Sequence, residues 1–547
     1  MTARRFGSLR KIPQLRRILV AYPWSMAGLG ALTGLGQPPF NLPLLSLLGL
    51  FGLVFAFHAQ ALAQGNWRRS FALCWWFGTG YFALVLHWIV EPFFVDPVRH
   101  GWMAPFALIL MVGGLSLFWG VAGAMAHLLR SNGKSLSRVT VIAALLSAEL
   151  LRGWIFTGFP WAPLYGVLLE TPLAIAISAG PFWGSLAALY LLWLARFGLR
   201  LLGFTPRSRW RSVSFAKSML VFCLALAVPV GLGYVQARDI RAYDAKLAAS
   251  EQAGDAMRLR IIQPNEAQDL KWESGYITEF WQRKLALTAA GSDPRPDVIL
   301  WPEVSLPYLL GSNPDADLMI AEAAQGATVL AGAQRFEGAE LRNSLALIPA
   351  DGWTEAVYDK HHLVPFGEYM PGAALLDRFG IFGLATDSLG AFSPGAGAER
   401  LDLGELGRVA PLICYEAIFW QYANYRDWKD GDWILQVTND AWFGTFAGPQ
   451  QHLQLARMRA MEQGVPLLRS ANTGISAVID GMGRVVAQIP MGQEGFIDLA
   501  LPPVTKDAGL YPIRAGLVDI FVFSPIGLLL FEIANKCIAW RRRRRGK

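Results

Sequence analysis

Long apolar segments recur through the first 240 residues of the chain, and one more lies close to its C-terminal end. An α-helix needs about 20 predominantly apolar residues to cross the hydrocarbon core of a bilayer. The first segment is the weakest, because Pro23 and several glycines interrupt it. The pattern predicts eight membrane spans, near residues 18–36, 43–63, 70–90, 103–129, 138–157, 172–197, 217–236 and 513–533.

Positively charged residues in the loops between these segments predict their orientation. If the N-terminus is cytoplasmic, Arg and Lys collect in the inside loops at 64–69, 130–137 and 198–216. The outside loop near 91–102 holds two acidic residues and a single arginine, Arg99. This alternation agrees with the positive-inside rule, so the residues after 240 are expected outside the cytoplasm. We expect no cleavable signal peptide, since no small-residue cleavage site is evident and more spans follow.

The block from 241 to 510 has a different pattern, in which charged residues return and short β-type runs alternate with helical stretches. A hairpin is predicted over 343–360, with its turn at Asp351-Gly352. A helix is predicted over 451–464, ending at Gly464. Strands that alternate with helices are typical of a layered α/β domain. Buried strands are predicted at 258–264, 297–303, 327–334, 408–414 and 432–440.

These patterns divide the chain into three predicted parts. Residues 1–240 form a transmembrane domain of seven helices, and residues 241–510 form an extracytoplasmic α/β domain. Residues 511–547 form the eighth transmembrane helix and a basic cytoplasmic tail. The class is therefore a multi-domain protein with a polytopic helical membrane part.

Composition agrees with a membrane protein. The chain is 53% hydrophobic and 16% charged, whereas soluble domains carry about 25% charged residues. The net charge of +8 is concentrated at the N-terminus and in the run Arg541–Arg545, beside apolar segments. Such placement indicates topology-setting charge and contact with membrane lipids, and we expect no nucleic-acid partner. No CxxC pair or Cys/His ligand spacing accompanies the four cysteines, so we expect neither a disulfide nor a metal.

Three predicted β segments end on a residue that is capable of catalysis: Glu303, Lys360 and Cys414. The carboxyl ends of neighbouring strands in an α/β sheet converge on one crevice, so these side chains are expected to meet there. Glu303 could take the thiol proton, and Lys360 could stabilise a thiolate and then an oxyanion. A nearby cation would also lower the pKa of the thiol. Taken singly, each residue more often has a structural role: a packed cysteine, a turn glutamate and a solvated lysine.

The strings WPE (301–303), YDKHHLVPFGEYMP (358–371), ICYE (413–416) and TNDAWFG (438–444) resemble the nitrilase superfamily. More closely, they resemble its membrane-bound branch, the apolipoprotein N-acyltransferase family. The segment ELLRGWIFTGFPW (149–161) is similar to that family as well, so the resemblance covers essentially the whole chain. It implies an α-β-β-α sandwich inserted between the seventh and eighth spans.

By matching position, the resemblance implies that Glu303 is the general base, Lys360 the oxyanion-stabilising lysine and Cys414 the nucleophile. It implies a second essential glutamate at Glu368, which would orient Lys360 or assist proton transfer. Tyr415 matches a required residue that could equally be a packing residue with a satisfied hydroxyl. No cofactor is implied.

Two further matched positions have physical readings of their own. Glu416 matches a required residue, yet it could simply favour the start of a helix. Trp272 matches a tryptophan near the lipid entrance, which is also where an interfacial aromatic residue would lie.

Several other residues are candidates for the pocket or for structure. Asn439, Trp442 and Phe443 are expected to shape the pocket wall, as substrate-binding residues. His361 and His362 would allow a Cys–His dyad, but they rank below Lys360 because a nitrilase-type site uses no histidine. Glu149 and Arg152, at the end of a predicted span, fit a structural ion pair at least as well as a functional site.

The resemblance implies transfer of an acyl chain from a phospholipid, through a thioester, to the α-amine of the diacylglyceryl-cysteine of an apolipoprotein. It implies a monomer in the bacterial inner membrane, with the catalytic domain on the periplasmic face. One alternative is a membrane-tethered nitrilase-type amidase that hydrolyses a small amide. A second is a transporter or receptor with a degenerate sensor domain, against which an intact Glu303, Lys360 and Cys414 set argues.

Overall fold

The computed structural model describes residues 22–62, 66–129, 138–180, 184, 215–253, 256–372, 390–422, 427–429 and 431–505. These residues form two compact units. The helical unit comprises the described residues of 22–87 and 105–234, and the α/β unit comprises 88–104 and the described residues of 235–505. The predicted eighth span near 513–533, the tail Arg541–Arg545 and Cys537 lie outside the described residues. The predicted domain limits at 240 and 510 stay predictions.

Six α-helices of nine or more residues are described between residues 22 and 253, and their bounds follow the apolar pattern. Asn66 begins the third of them, because its side chain accepts a hydrogen bond from the Arg69 amide at 3.0 Å. Glycine lets the first and third helices approach closely: a Cβ on Gly30 would lie 1.8 Å from the Phe77 carbonyl oxygen. The helices are α1 Met26–Gly34, α2 Pro43–Leu62, α3 Trp67–Val85, α4 Ala104–Leu128, α5 Arg138–Arg152 and α6 Phe215–Ala253.

The predicted count of eight spans is not confirmed. Within the described residues, one helical stretch, Pro97–Leu128, is long and apolar enough to cross a membrane. A second exists if α3 and the following 3-10 helix His87–Phe94, which meet at a bend of 47°, are taken as one span. The predicted span at 172–197 is described only at residues 172–180 and 184, with a 3-10 helix over Ala174–Ala179. The full count therefore stays a prediction.

Glu149 and Arg152 form an ion pair, which was one of the two alternatives that the sequence allowed for them. Their side chains are buried, and Arg152 Nη2 lies 3.0 Å from Glu149 Oε2. Arg152 Nη1 also donates to the carbonyl oxygens of Phe159 and Trp161, at 2.6 and 2.8 Å. The indole of Trp119 donates to the other oxygen of Glu149 at 2.7 Å. The pair therefore anchors α5 to the irregular segment that follows it.

The α/β unit contains two six-stranded mixed sheets. The first has the strand order β12-β1-β2-β3-β4-β5, and the second has the order β11-β10-β9-β8-β7-β6. All five predicted strands are confirmed, and so is the predicted hairpin, which is formed by β4 and β5. The strands are β1 Arg258–Gln263, β2 Val298–Leu300, β3 Thr328–Glu337, β4 Glu340–Ile348, β5 Glu355–Asp359, β6 Leu401–Asp402, β7 Arg408–Ile413, β8 Trp433–Thr438, β9 Leu467–Ala471, β10 Ser476–Ile479, β11 Val485–Ile489 and β12 Gly495–Ala500.

The two sheets pack face to face between helices. Alternate residues of a strand point to opposite faces, so Ile261 joins the core between the sheets while Ile262 joins a core on the outer face. Helices α7 Ser274–Ala289 and α8 Pro314–Ala324 cover the outer face of the first sheet. Helix α9 Gly448–Gln463 covers the outer face of the second sheet. The layers run α-β-β-α, as the resemblance implied for this unit.

Helix α9 confirms the predicted helix near 451–464. It begins at Gly448, three residues before the predicted start, and Pro449 lies in its first turn. It ends at Gly464, whose φ of 66° closes the helix in the left-handed conformation. The helix is buried along most of its length, and this buried surface brings polar side chains to the back of the site described next.

Candidate active site

Cys414 lies on a sharp turn where β7 ends and a 3-10 helix, Cys414–Ile418, begins. Its φ of 51° is unusual for a residue with a side chain, and such strain is concentrated at functional sites. Glu416 holds the turn: one carboxylate oxygen accepts the Ile413 amide at 2.8 Å, and the other accepts the His361 amide at 2.8 Å. The fully buried Glu416 thus joins the cysteine turn to the segment that carries Lys360.

Glu303, Lys360 and Glu368 form one buried charged cluster. Lys360 Nζ lies 2.8 Å from Glu368 Oε1 and 3.6 Å from Glu303 Oε1. The side-chain amide of Asn343 donates to both carboxylates, at 2.9 Å to Glu303 and 3.2 Å to Glu368. Glu368 also accepts the Val364 amide at 2.8 Å. A single lysine is therefore shared by two carboxylates, so the cluster contains one more acidic group than basic groups.

The charges of this cluster act on the cysteine. Burial opposes a charge on Lys360, but attraction to Glu368, Glu303 and Cys414 outweighs it and raises the pKa of the ammonium. Burial, reinforced by Glu303, raises the pKa of the Cys414 thiol, and Lys360 offsets only part of this. The expectation of a lowered thiol pKa is therefore wrong, because desolvation exceeds the effect of the lysine. A protonated thiol requires a base, and Glu303 is the carboxylate whose charge acts on it most strongly.

The three residues meet for a different reason from the one that the sequence suggested. Glu303 follows β2 and Lys360 follows β5, and β3 and β4 lie between these two strands in the first sheet. Cys414 follows β7, which belongs to the second sheet. The prediction that neighbouring strand ends of one sheet converge is therefore wrong. The residues meet because two sheets pack face to face and each contributes part of the site.

Asn439, which was expected to shape the pocket wall, holds the Glu303 carboxylate. Its backbone amide donates to Glu303 Oε2 at 2.9 Å. Its side chain donates to Gln268 at 2.6 Å and accepts from Asn472 at 3.2 Å. Since Asn439 follows β8 of the second sheet, this contact ties the glutamate of one sheet to the cysteine-bearing sheet.

The aromatic candidates lie in different environments. Tyr415 is buried, and its ring centroid lies 5.2 Å from that of Phe419. Trp272 is 48% exposed, with the Lys271 ammonium 5.8 Å from its ring centroid. Phe443 is half-buried, and its ring centroid lies 4.9 Å from that of Trp88. Trp442 is half-buried in the same 3-10 helix, Asp440–Phe443.

The two histidines after Lys360 make contacts of another kind. His361 Nδ1 lies 2.7 Å from the Tyr358 hydroxyl and 2.7 Å from Glu416 Oε1. His362 Nδ1 lies 2.5 Å from the Tyr422 hydroxyl. The His361 ring therefore contacts Glu416, the His362 ring contacts Tyr422, and Lys360 is the cation that acts on Cys414.

Sequence reasoning missed Asn343 and a buried polar cluster behind Cys414. Asn343 begins the predicted hairpin, but it lies between Arg342 and Ser344, so no local signal distinguished it from its polar neighbours. The polar cluster consists of Gln436, Asp440, His452 and Arg469, each almost fully buried. Polar residues on a buried strand and a buried helix indicate a hydrogen-bonded network, although no local pattern tells which residues they contact. No group of three or more potential metal ligands occurs within the described part of the chain.

Two family models match the chain. The carbon–nitrogen hydrolase model matches residues 258–506, and the apolipoprotein N-acyltransferase N-terminal domain model matches residues 29–194. The fold and the Glu–Lys–Cys cluster of the α/β unit thus define a carbon–nitrogen hydrolase-type domain.

Curated relatives extend the match to nearly the whole chain. An apolipoprotein N-acyltransferase of Rhodopseudomonas palustris is 36% identical over 89% of this chain and 91% of its own length. Those of Bradyrhizobium diazoefficiens and Caulobacter vibrioides are 37% and 36% identical, over 96% and 88% of this chain and 97% and 89% of their own lengths. The chain belongs to the apolipoprotein N-acyltransferase family, which makes it an acyltransferase and disfavours the amidase alternative.

Proposed function

We propose that this enzyme moves an acyl chain from a phospholipid to the α-amine of the N-terminal diacylglyceryl-cysteine of an apolipoprotein, through a thioester on Cys414. The observation that carries the proposal is the strained Cys414 turn beside the Glu303–Lys360–Glu368 cluster. Family membership and the apolar helices support a lipid donor and a lipid-anchored acceptor.

In the first half-reaction, Glu303 takes the proton of the Cys414 thiol as the sulfur attacks the ester carbonyl of the phospholipid. The Lys360 ammonium stabilises the oxyanion of the tetrahedral intermediate. Collapse of the intermediate breaks the ester C–O bond, and Glu303 returns its proton to the departing alkoxide. The products are a lysophospholipid and an acyl thioester on Cys414.

In the second half-reaction, the free amine of the acceptor attacks the thioester carbonyl, and Glu303 takes a proton from the nitrogen. Collapse of this intermediate breaks the C–S bond, forms the amide and returns the sulfur to Cys414, which regains its proton from Glu303. Water must be kept from the thioester until the amine arrives, and a site at the membrane surface favours this. Ping-pong kinetics follow from the covalent intermediate.

The remaining candidates take supporting roles in this proposal. Glu368 holds Lys360 through the 2.8 Å contact, and Glu416 holds the backbone on both sides of the site. Asn439 aims the Glu303 carboxylate through its amide. The exposed Trp272 suits contact with acyl chains or the bilayer interface. Trp442 and Phe443 suit the wall of the acyl pocket.

Substitution of the nucleophile tests the proposal. In Cys414→Ser we expect transfer to be abolished while folding and membrane insertion are kept, because serine is the closest isostere. Cys74→Ala, at the other buried cysteine of the described residues, is the matched control and should keep transfer. Intact-mass analysis of the parent after exposure to phospholipid should find an acyl adduct on Cys414 that hydroxylamine removes. Full transfer in Cys414→Ser would overturn the proposal.

We also propose a multi-pass inner-membrane protein, organised as 1–240, 241–510 and 511–547, with the α/β unit on the periplasmic side. The charge alternation of the loops supports this orientation. A membrane-impermeant maleimide tests it: Asp351→Cys, at the exposed hairpin turn, should be labelled in cells whose outer membrane has been made permeable. Arg68→Cys, in a predicted cytoplasmic loop, should be labelled only after lysis. The reverse result would overturn the orientation.

A further inference from the structure

A buried polar cluster that the mechanism does not use lies directly behind Cys414. Gln436 comes from β8, Asp440 follows the same strand, His452 comes from α9 and Arg469 comes from β9. All four side chains are almost completely excluded from solvent. Burying four polar side chains is unfavourable unless they form hydrogen bonds with one another or with the backbone. Their hydrogen bonds therefore show which group donates and which accepts.

Two members of the cluster converge on the backbone of the nucleophile. His452 Nε2 lies 3.2 Å from the Cys414 carbonyl oxygen, and Gln436 Nε2 lies 3.4 Å from the same atom. The two nitrogens are themselves 2.9 Å apart. The carbonyl of the strained residue thus lies against groups of another strand and of a helix.

The other two members orient the histidine. Asp440 Oδ1 lies 2.9 Å from His452 Nδ1, and Arg469 forms an ion pair with the second oxygen of Asp440. Burial alone would raise the pKa of Asp440, but Arg469 and His452 lower it to about 2, so the carboxylate is ionised. An ionised carboxylate can only accept a hydrogen bond, so Nδ1 of His452 carries the hydrogen and donates.

The proton on Nδ1 determines what the other ring nitrogen does. Burial, followed by the charge of Arg469, lowers the pKa of His452, and the ring is therefore neutral. Its Nε2 then has a lone pair and accepts one hydrogen of the Gln436 amide. The second hydrogen of the same amide is left to donate to the Cys414 carbonyl. The order of the chain is Arg469, Asp440, His452, Gln436 and finally the Cys414 carbonyl.

Holding this carbonyl has a consequence on the opposite side of the peptide. The Cys414–Tyr415 bond is trans, so the carbonyl and the Tyr415 amide point in opposite directions within one plane. A hydrogen bond to the carbonyl fixes the direction of that amide and increases its polarity as a donor. The amide after a nucleophile on a sharp strand-to-helix turn is the group that faces a developing oxyanion.

We propose that Gln436 and His452 are positioning residues for acyl transfer, which hold the Cys414–Tyr415 peptide so that the Tyr415 amide donates to the oxyanion opposite Lys360. The inference rests on the proposed function, because it requires a tetrahedral intermediate on Cys414. A purely structural cluster would instead fill the space behind the turn, and its loss would affect all reactions of the Cys414 sulfur equally.

Two reactions of the same sulfur separate these roles. Acylation of Cys414 by an activated ester passes through an oxyanion, whereas alkylation by iodoacetamide is a displacement at a saturated carbon and forms none. In Gln436→Met and His452→Leu we expect acylation to slow by about 10- to 100-fold, somewhat less than deletion of an oxyanion donor. Alkylation should stay within about twofold of the parent rate, since it needs only the thiol and its base.

Matched variants complete the test. His452→Gln keeps an acceptor for Gln436 and a donor for Asp440, so it should recover most of the acylation rate. Leu455→Ala removes a buried side chain from the same helix and should leave both the acylation rate and the alkylation rate unchanged. Should His452→Leu fail to fold, Gln436→Met carries the same comparison without touching Asp440.

Each outcome is decisive. A selective loss of acylation supports positioning, whereas equal losses of acylation and alkylation, or no loss of either, would overturn it. Failure of the proposed function appears elsewhere, as an unmodified Cys414 in the parent or as transfer by Cys414→Ser. Both rates are measured by intact mass on the full chain in detergent, with unfolding temperature as the check on folding.

Discussion

Two of the buried ion clusters within the described residues, one in each unit, are built differently. In the helical unit, Arg152 meets one carboxylate, Glu149, and backbone and indole groups complete the contacts. In the α/β unit, Lys360 is shared by two carboxylates, Glu303 and Glu368. The first cluster has equal numbers of positive and negative groups, whereas the second has one more acid than base.

This difference fits a structural role for the first cluster and the proton transfer that we propose for the second. A buried pair of one positive and one negative group is destabilised when either partner loses its charge, so both groups are expected to stay ionised. Two carboxylates around one lysine leave one carboxylate without a cation of its own, and such a carboxylate can act as a proton acceptor. The arrangement beside Cys414 therefore favours proton transfer, and the arrangement around Arg152 favours rigidity.

The largest expected effect is on catalysis in Glu303→Gln. Glutamine keeps an acceptor for the Asn439 amide but cannot take the thiol proton, so we expect transfer to fall by about 10²- to 10⁴-fold. Stability should be unchanged or higher, because the variant removes the excess negative charge. The measurement is the rate of acyl transfer together with the unfolding temperature, and retained activity would show that another group is the base.

The opposite result is expected for Arg152→Met. Removing the cation leaves Glu149 buried without a partner, which costs about 3–5 kcal/mol of stability. Transfer per folded molecule should be kept. Unfolding in detergent measures the loss, and the double variant Glu149→Gln with Arg152→Met should regain a large part of it. A selective loss of activity at full stability would contradict the structural reading.

A smaller effect of pH should come from Asp440. Its folded-state pKa of about 2 lies below the ordinary value of 3.8, since Arg469 and His452 outweigh the effect of burial. A depressed pKa stabilises the fold above the unfolded value, and this contribution disappears as the pH falls from about 4 to 2. The expected loss is on the order of 2 kcal/mol. The free energy of unfolding of the parent and of Asp440→Asn, measured across this pH window, tests the expectation. An equal dependence on pH in the two proteins would contradict it.

The smallest effect should come from an exposed ion pair, which gives the comparison its baseline. Arg283 and Glu279 lie 2.7 Å apart on α7, but the Glu279 side chain is 56% exposed. Solvent screens such a pair, so Glu279→Gln should change stability by less than about 0.5 kcal/mol and leave transfer intact. A change of several kcal/mol in the unfolding experiment would show that burial is not what separates the clusters.

Much of the α/β unit followed from local pattern. Apolar runs such as that of 408–414 predicted strands, and the Asp351-Gly352 turn predicted the hairpin that places Lys360. Gly464 ended α9 where the sequence indicated. These features depend on the backbone preferences of a few consecutive residues, so they can be read without knowledge of the fold.

Two expectations about the site failed for related reasons. The residues were expected on one sheet, and the thiol pKa was expected to be lowered. Sheet membership depends on which strands pair, and the pKa depends on how completely Cys414 is buried between two sheets. Neither quantity is encoded in the spacing of the residues along the chain.

Local periodicity and motif resemblance were enough to predict the strands, the hairpin and Glu303, Lys360 and Cys414 as candidates. The contacts of Asn343 and Asn439 with the carboxylates, and the position of Gln436 and His452 behind Cys414, became visible only in the folded protein. The physical reason is that hydrogen bonds act over about 3 Å between atoms in space. Residues as distant in the chain as Glu303 and Asn439 come within that range only when two sheets pack together.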